Sequence, residues 1–417
     1  MVNLKQKDCL NTASNETSYD LVIIGAGMSG SLLALTLLKK NAQLNILLVD
    51  ENAKRDDPIK HFHPSFDARC IALNAGSVDI LNDLSLWPDI QPDAQSIKQI
   101  QVSDKGYFNS LTLAPEIKGD AFGYVVELRR VGKVLAEALS QYPSLTTLYQ
   151  VKLEAIEQSI DAVKCTLSNG EQVEAKLCIG ADGSKSQVRQ LANIKSSCDD
   201  YQRSAIICNI QSASCHQDIA YERFTQSGPI ALLPLTDNRF SLVYCVEGDE
   251  ADAIANLSDA DFLMHLQQRF GYRAGIFTTT GKRDIYPLSL LKTSRPIAHR
   301  VVCIGNAAHS LHPVAGQGFN LGLRDVCVLA KVIAESDLNN IGSFSMLNKY
   351  WMYREKDHNQ SIFMTDSLVR IFSNRDPLLS FPRNLSLQAM SLFPCLSMPI
   401  IEQAKGQFDL FRKESLS

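Results

Sequence analysis

"YDLVIIGAGMSGSLLALTLLKKNAQLNILLVDEN", residues 19–52, decides the fold. Leu21–Ile24 is a short unbroken apolar run, the pattern of a strand buried on both faces of a parallel sheet. Gly25, Gly27 and Gly30 follow in G-x-G-x-x-G spacing. The first glycine permits a tight turn, the second lets backbone approach a pyrophosphate, and the third lets the next helix lie close to the sheet. Ala34, one turn further, keeps that helix face small. A helix starting at Met28 or Ser29 aims its free amides and positive dipole end at phosphate. The next strand, Ile46–Val49, ends in Asp50, 20 residues after Gly30, where a carboxylate accepts from a ribose hydroxyl. The segment predicts a dinucleotide-binding βαβ unit and leaves NAD and FAD both open.

The 417 residues suffice for two or three cores, with 45% hydrophobic and 21% charged residues, an ordinary globular composition. A formal net charge of −4 and the lack of a long basic run argue against a nucleic-acid partner. The 11 cysteines are scattered without a C-x-x-C pair, so they read as free thiols in a reducing compartment. His61 and His63 have no Cys or Glu in ligand register, and no metal constellation is expected. Residues 1–18 read as a disordered leader. No apolar stretch reaches the ~20 residues that span a bilayer, so a cytoplasmic protein is expected, at most peripherally bound to membrane.

Two further strand-to-helix junctions lie downstream. "AKLCIGADGSKSQVRQLA" (175–192) runs from an apolar strand through a turn into a helix, with Asp182 and Gly183 at the junction. Asp182 can cap the helix there, and Arg189 is expected near the pyrophosphate. "IGNAAHSLHPVAGQGFN" (304–320) leads from the strand Val301–Ile304 to a helix from about Leu321. Only the first junction has the full dinucleotide form, which points to one long cofactor touched from three places.

With "FDARCIALNAGS" (66–77), "VVELRRVGKVL" (125–135), "ERFTQSGPIALLPL" (222–235), "GKRDIYPLSLLKTSR" (281–295) and "TDSLVRIFSNRDP" (365–377), these motifs carry a resemblance. From Tyr19 to about Pro377 the chain resembles the single-component FAD-dependent aromatic hydroxylases. Within them it is most similar to the ubiquinone-biosynthesis branch that acts on 2-polyprenyl-6-methoxyphenol. The resemblance implies an α/β fold of the para-hydroxybenzoate hydroxylase type. That fold has a Rossmann-like FAD-binding domain (19–75, 110–190 and 285–345), an interleaved β-sheet substrate domain (76–109 and 191–284) and a helical C-terminal region (346–417).

It also implies cofactor contacts. Gly25, Gly27, Met28 and Gly30 take the ADP half of FAD, Asp50 the ribose, and Arg69 and Arg129 positions along the cofactor. Asp182 and Gly183 are expected on FAD, and in part on the nicotinamide of NAD(P)H, the transient reductant. Gly305, Asn306, Gly316, Gly318 and Asn320 are expected around the flavin. Asn306 stands where the family usually has Asp on the ribityl chain; Asn still hydrogen-bonds a hydroxyl but lacks the charge.

The implied reaction is flavin reduction, O₂ addition at flavin C4a, and oxygen transfer to the electron-rich ring of a lipophilic prenylated phenol. The loop Pro313–Gly318, with Gly316, Gln317 and Gly318, would pass backbone over the flavin edge and offer N–H groups to developing charge. His309 and His312 are candidates either for acid–base work or as hydrogen-bonding spacers. The alternating pattern of 191–284 predicts a sheet roofing the flavin, with Phe224, Leu233, Pro234 and Tyr244 in the substrate wall. "LSLQAMSLFPCLSMPII" (385–401) is the candidate contact with a membrane surface or with other quinone-biosynthesis proteins. Two alternatives stand beside this reading: hydroxylation of another ring position or aromatic, and a flavoprotein that scaffolds a complex without turnover.

Overall fold

The computed structural model describes residues 17–53, 69–104, 110–115, 117, 119–312, 316–372 and 405–406. The chain opens with β1 (Thr17–Ile24), α1 (Met28–Lys40), β2 (Ile46–Asp50), β3 (Cys70–Asn74), α2 (Ala75–Asp83) and α3 (Trp87–Ile90). Then come β4 (Gln95–Ile97), β5 (Gln99–Asp104), β6 (Ser110–Leu113), β7 (Gly123–Glu127), α4 (Leu128–Leu139) and β8 (Leu145–Tyr149). Next are β9 (Leu153–Gln158), β10 (Val163–Leu167), β11 (Gln172–Gly180), α5 (Gln187–Leu191), β12 (Ser196–Ser212), β13 (Ile219–Thr225) and β14 (Gly228–Leu235). They are followed by β15 (Arg239–Glu247), α6 (Ala251–Ala255), α7 (Asp259–Phe270), β16 (Phe277–Thr280) and β17 (Asp284–Thr293). The last elements are β18 (Ile297–Ala298), β19 (Val301–Cys303), β20 (His309–Ser310), α8 (Gln317–Ala334) and α9 (Phe344–Phe372).

β19, β11, β1, β2 and β8 lie side by side as parallel strands. The apolar run of β1 serves two cores at once. Leu21 and Ile23 pack with α1, α4, α8 and α9, while Val22 and Ile24 pack with β10 and α5 on the other face. That two-sided burial is why the run does not alternate. Leu32, Leu33 and Leu35 of α1 are wholly buried, and truncating such a leucine costs ~2–5 kcal/mol.

A second, nine-stranded sheet follows the order β20-β17-β12-β15-β14-β13-β5-β6, with β16 on β12. One face packs on α6 through Ala251 and Ile254 and on α7 through Phe262, Leu266 and Phe270. The other face turns toward the parallel sheet. β3, β7 and β4 form a small sheet between the two.

Pairing moves several of the sequence-based boundaries. Thr17 and Ser18, placed in the leader, already pair with Val173 and Glu174. β6 and β17, assigned to the FAD-binding part, extend the nine-stranded sheet. α2 and α3, assigned to the substrate part, pack in the parallel sheet's core through Leu81, Trp87 and Ile90. Motif edges mark ligand contacts, whereas ladder pairing decides which sheet owns a strand. Among the described residues no helix is long and apolar enough to cross a membrane. The segment 385–401 and the pair His61/His63 lie outside the described residues.

Candidate functional site

A cleft of about 760 Å³ opens beyond the carboxyl ends of β1, β2, β11 and β19, the usual ligand position in an open α/β sheet. All three glycine junctions reach it: Gly25, Gly27 and Met28 from the first, Asp182 and Gly183 from the second, Gly305 and Asn306 from the third. Asp50, Arg69, His312, Gly316, Gly318 and Leu233 also line it.

The first junction is tight by necessity. A Cβ on Gly30 would lie 1.9 Å from the Gly25 carbonyl oxygen, and one on Gly25 2.4 Å from the Ala181 oxygen. α1 starts at Met28, with Gly27 as its N-cap, no side-chain cap and no acid in the first turn. Its first amides therefore face the cleft without an internal anion, which suits a pyrophosphate. α8 repeats the arrangement: Gly316 caps it in the left-handed region at φ +60°, again with no capping side chain and no acidic first turn. A Cβ on Gly318 would meet nothing within 4 Å, so the backbone there is open to the cleft.

Asp50 is buried, and its Oδ2 accepts from the Ala26 amide at 2.7 Å. Oδ1 accepts from the Asn52 amide at 2.8 Å. Asp182 caps α5, accepting from the amides of Gln187 (2.7 Å) and Val188 (3.2 Å). Burial pushes its carboxyl upward, against these bonds. The Arg69 guanidinium sits 5.1 Å from the ring centroid of Tyr286. Asn306 is exposed at the cleft and makes no side-chain hydrogen bond among the described residues, leaving its amide for a ligand. These uncapped amides, glycine-lined walls and an unengaged amide side chain fit a dinucleotide with a polyol linker.

Several expected contacts fall elsewhere. Asn320 uses its whole hydrogen-bonding capacity internally. Its amide donates to the Ala72 and Gly316 oxygens (both 2.9 Å), and its oxygen accepts from the Asn74 amide (3.1 Å) and Ser77 hydroxyl (2.7 Å). Asn320 is thus a clamp between α8 and β3, not a ligand contact. Arg129 is exposed, away from the cleft, and pairs with Glu127, which also receives Arg239 at 3.0 Å. Arg189 is buried and donates to the Ala307 and Ser184 oxygens (2.8 and 2.7 Å), tying the second junction to the third. Gln317 is buried and does not line the cleft, and neither does Gly30, which packs beneath the turn. Pro313 lies outside the described residues.

The two histidines part company. His309 is fully buried and makes a 2.8 Å hydrogen bond through Nε2 to Asp325 Oδ2, out of reach of the cleft. Asp325 gathers three more donors: the Gly305 amide (3.1 Å), Arg354 Nε (2.7 Å) and His358 Nε2 (2.7 Å). Burial alone would raise the Asp325 carboxyl, but His358, Arg354 and His309 hold it well below the usual carboxylate range. His309, Asp325 and His358 are close enough to chelate a metal. The Arg354 guanidinium, however, already stands against the carboxylate, where a cation would have to sit. His312 does line the cleft, edge-on to Tyr201. Burial first, then Arg203, lowers it to about 4, so it is neutral at pH 7.

The nine-stranded sheet presents Ile207, Leu233, Ser241 and Val243 to the cleft. Of the four residues predicted for this wall, only Leu233 is there. Tyr244 is one residue out of phase, packing with Leu242 toward α7, its hydroxyl 3.0 Å from His265 Nε2. Pro234 shares the Leu232 face by strand alternation. Phe224 is buried opposite Asp104 in register and does not line the cleft. Ser29, Ser241 and Asp325 carry no motif label of their own; Asp325 could have been found in "NLGLRD", where an acid interrupts an apolar helix.

Fold and cleft together define an α/β protein that binds a dinucleotide against a β-sheet roof. The family model described as FAD binding domain matches residues 18–361. Ubiquinone hydroxylase UbiL of Rhodospirillum rubrum is 33% identical over 401 residues, 96% of this chain and 92% of that protein. The 3-demethoxyubiquinol 3-hydroxylase of Escherichia coli is 31% identical, covering 93% and 98%. Among solved structures, p-nitrophenol 4-monooxygenase PnpA of Pseudomonas putida superposes with a TM-score of 0.74 at 18% identity, over 94% of this chain and all of that one. The chain belongs to the FAD-binding-domain family and, within it, to the ubiquinone hydroxylase branch of FAD-dependent aromatic monooxygenases.

Proposed function

We propose that the protein hydroxylates the aromatic ring of a polyprenylated phenol in ubiquinone biosynthesis, using NAD(P)H and O₂, with FAD lying along the cleft. The observation that carries this reading is the convergence of all three glycine junctions on one cleft whose opposite wall is an apolar sheet face. Bound FAD supplies the redox and oxygen chemistry. The chain's residues do the rest. The amides at Gly27 and Met28 hold the pyrophosphate, Asp50 the ribose, Asn306 a hydroxyl of the linker, and Arg69, Asp182 and Gly183 flank the cofactor. The α8 amides from Gly316 to Gly318 face the flavin edge and stabilise negative charge there. Ile207, Leu233 and Val243 exclude water and seat the ring.

His312, lowered to about 4, is too weak a base to keep the proton of a phenol whose own pKa is about 10. It orients the ring hydroxyl as a neutral hydrogen-bond partner. His309, held on Asp325, positions the Gly305 turn.

Purified protein is expected to carry FAD absorbance and to oxidise NAD(P)H faster when a prenylphenol is present. A colourless protein, or oxidation indifferent to the phenol, overturns the reading. The substrate proposed in particular is 2-polyprenyl-6-methoxyphenol, converted to 2-polyprenyl-6-methoxy-1,4-benzoquinol. Mass spectrometry of the lipid that accumulates in a deletion strain tests this, since a precursor with other ring substituents moves the reaction to another carbon. A peripheral contact with the membrane surface or with other quinone-biosynthesis proteins would deliver the lipid tail.

A further inference from the structure

β13 carries a carboxyl with one buried oxygen left unpaired among the described residues. Glu222 Oε1 is buried and has no hydrogen bond among the described residues, while the residue as a whole is only partly buried. Its strand register fixes where it faces. Glu222 pairs with Ala231 of β14, Ala231 with Val243 of β15, and Val243 with Ile207 of β12. Directly paired residues share a sheet face, and Val243 and Ile207 line the cleft. Glu222 therefore stands on the cleft-facing side, two strands or roughly 10 Å from Val243, beyond the residues that line the cleft. Only the methyl group of Ala231 separates them in that row. Near it on the same face, the Cys245 thiol is itself pushed upward by burial.

The surroundings give the carboxyl a definite state. Burial pushes it up to about 8, so at neutral pH it is mostly protonated, with an O–H to donate and a carbonyl oxygen to accept. A buried polar oxygen without a partner costs stability, and an apolar side chain of similar size would remove that cost. Such an unpaired oxygen, set on the cleft-facing side of the sheet, is placed where a ligand can supply the missing bond.

We infer that Glu222 is a specificity-determining residue at the inner end of the substrate pocket, hydrogen-bonding an oxygen substituent of the aromatic ring that reaches over Ala231. This rests on the phenol reading above. The wall of Ile207, Leu233 and Val243 recognises any apolar ring; Glu222 separates oxygenated rings from bare ones.

The test uses the flavin-loaded protein, with 2-prenylphenol and prenylbenzene as probes and the visible spectrum of the bound flavin as the readout of binding. Wild type is expected to bind the phenol at least about tenfold more tightly than the hydrocarbon. Glu222→Leu should bring the two within about twofold, with the flavin retained. Glu222→Gln, which keeps a donor and an acceptor, should recover about threefold discrimination or more. Without ligand, Glu222→Leu should also raise Tm by about 2 °C or more, because it removes a cost rather than a contact. A Glu222→Leu protein that discriminates like wild type overturns the assignment, as does one whose Tm drops by several degrees. Wild-type protein that responds to neither probe overturns the phenol reading, and this assignment with it.

Discussion

Asn306 sits where the resemblance leads one to expect aspartate, and its surroundings explain why the change is tolerated. The side chain is exposed at the cleft with no bond to any described residue, so the exchange disturbs no network seen among them. Asn306→Ala should weaken FAD retention by about 2- to 13-fold, the equivalent of ~0.5–1.5 kcal/mol for one hydrogen bond. Flavin fluorescence on dilution measures it, and an unchanged affinity would remove Asn306 from the cofactor site. Asn320 teaches the opposite lesson. It lies in the same glycine-rich motif, yet its four hydrogen bonds are all internal. Sequence spacing brings both asparagines to one loop; only the satisfied or open hydrogen-bond positions tell contact from clamp.

Strand β15 sets the limit of what a pattern reveals at the scale of an element. Its existence is plain in "RFSLVYCVE", and its alternation is real, but alternation names two faces without saying which one meets the ligand. The larger residues, Phe240, Leu242 and Tyr244, turn to α7, because the helix offers apolar bulk to pack against. The smaller Ser241 and Val243 face the cleft, where space is needed. An aromatic in an apolar strand suggests a ring-binding wall, which is why Tyr244 reads wrongly from sequence. The three junctions were legible because glycine spacing reports backbone geometry directly. Two substitutions separate the faces. Val243→Trp should fill the cleft and lower turnover of a prenylphenol at least about tenfold while leaving bound flavin intact. Tyr244→Phe should leave turnover unchanged and cost ~1 kcal/mol of stability through the lost bond to His265, read as a drop in Tm. Equal effects on turnover would refute the assignment of faces.

At the scale of the whole molecule, the buried charges beside the cleft govern stability. Asp325→Asn leaves Arg354, His309 and His358 around a neutral amide, and breaking such a buried pair costs ~3–5 kcal/mol. A Tm drop of several degrees is expected, and a drop below about 2 °C would mean that the network carries little of the fold. The pH dependence follows from the histidines. His358 is lowered from 6.5 to about 4, by burial first, despite the Asp325 carboxylate, and His312 is lowered to about the same value. The unfolded chain therefore binds protons that the folded protein refuses. Their stabilising effect is whole above pH 6.5 and is lost as pH falls toward 4. Thermal melts across that interval should show Tm descending with pH, and His358→Gln should flatten the slope.

The same carboxylate has a consequence for motion. Asp325 lies on α8, accepts the Gly305 amide from the third junction, and accepts Arg354 and His358 from α9. Releasing the long helix would strip the turn of its anchor, so the two are expected to open as one cooperative unit rather than fraying separately. Native-state amide exchange reads this directly. The Gly305 amide and the amides around Arg354 should exchange with the same opening free energy and lose protection together in Asp325→Asn. If Gly305 exchanges freely while α9 stays protected, the turn and the helix are independent.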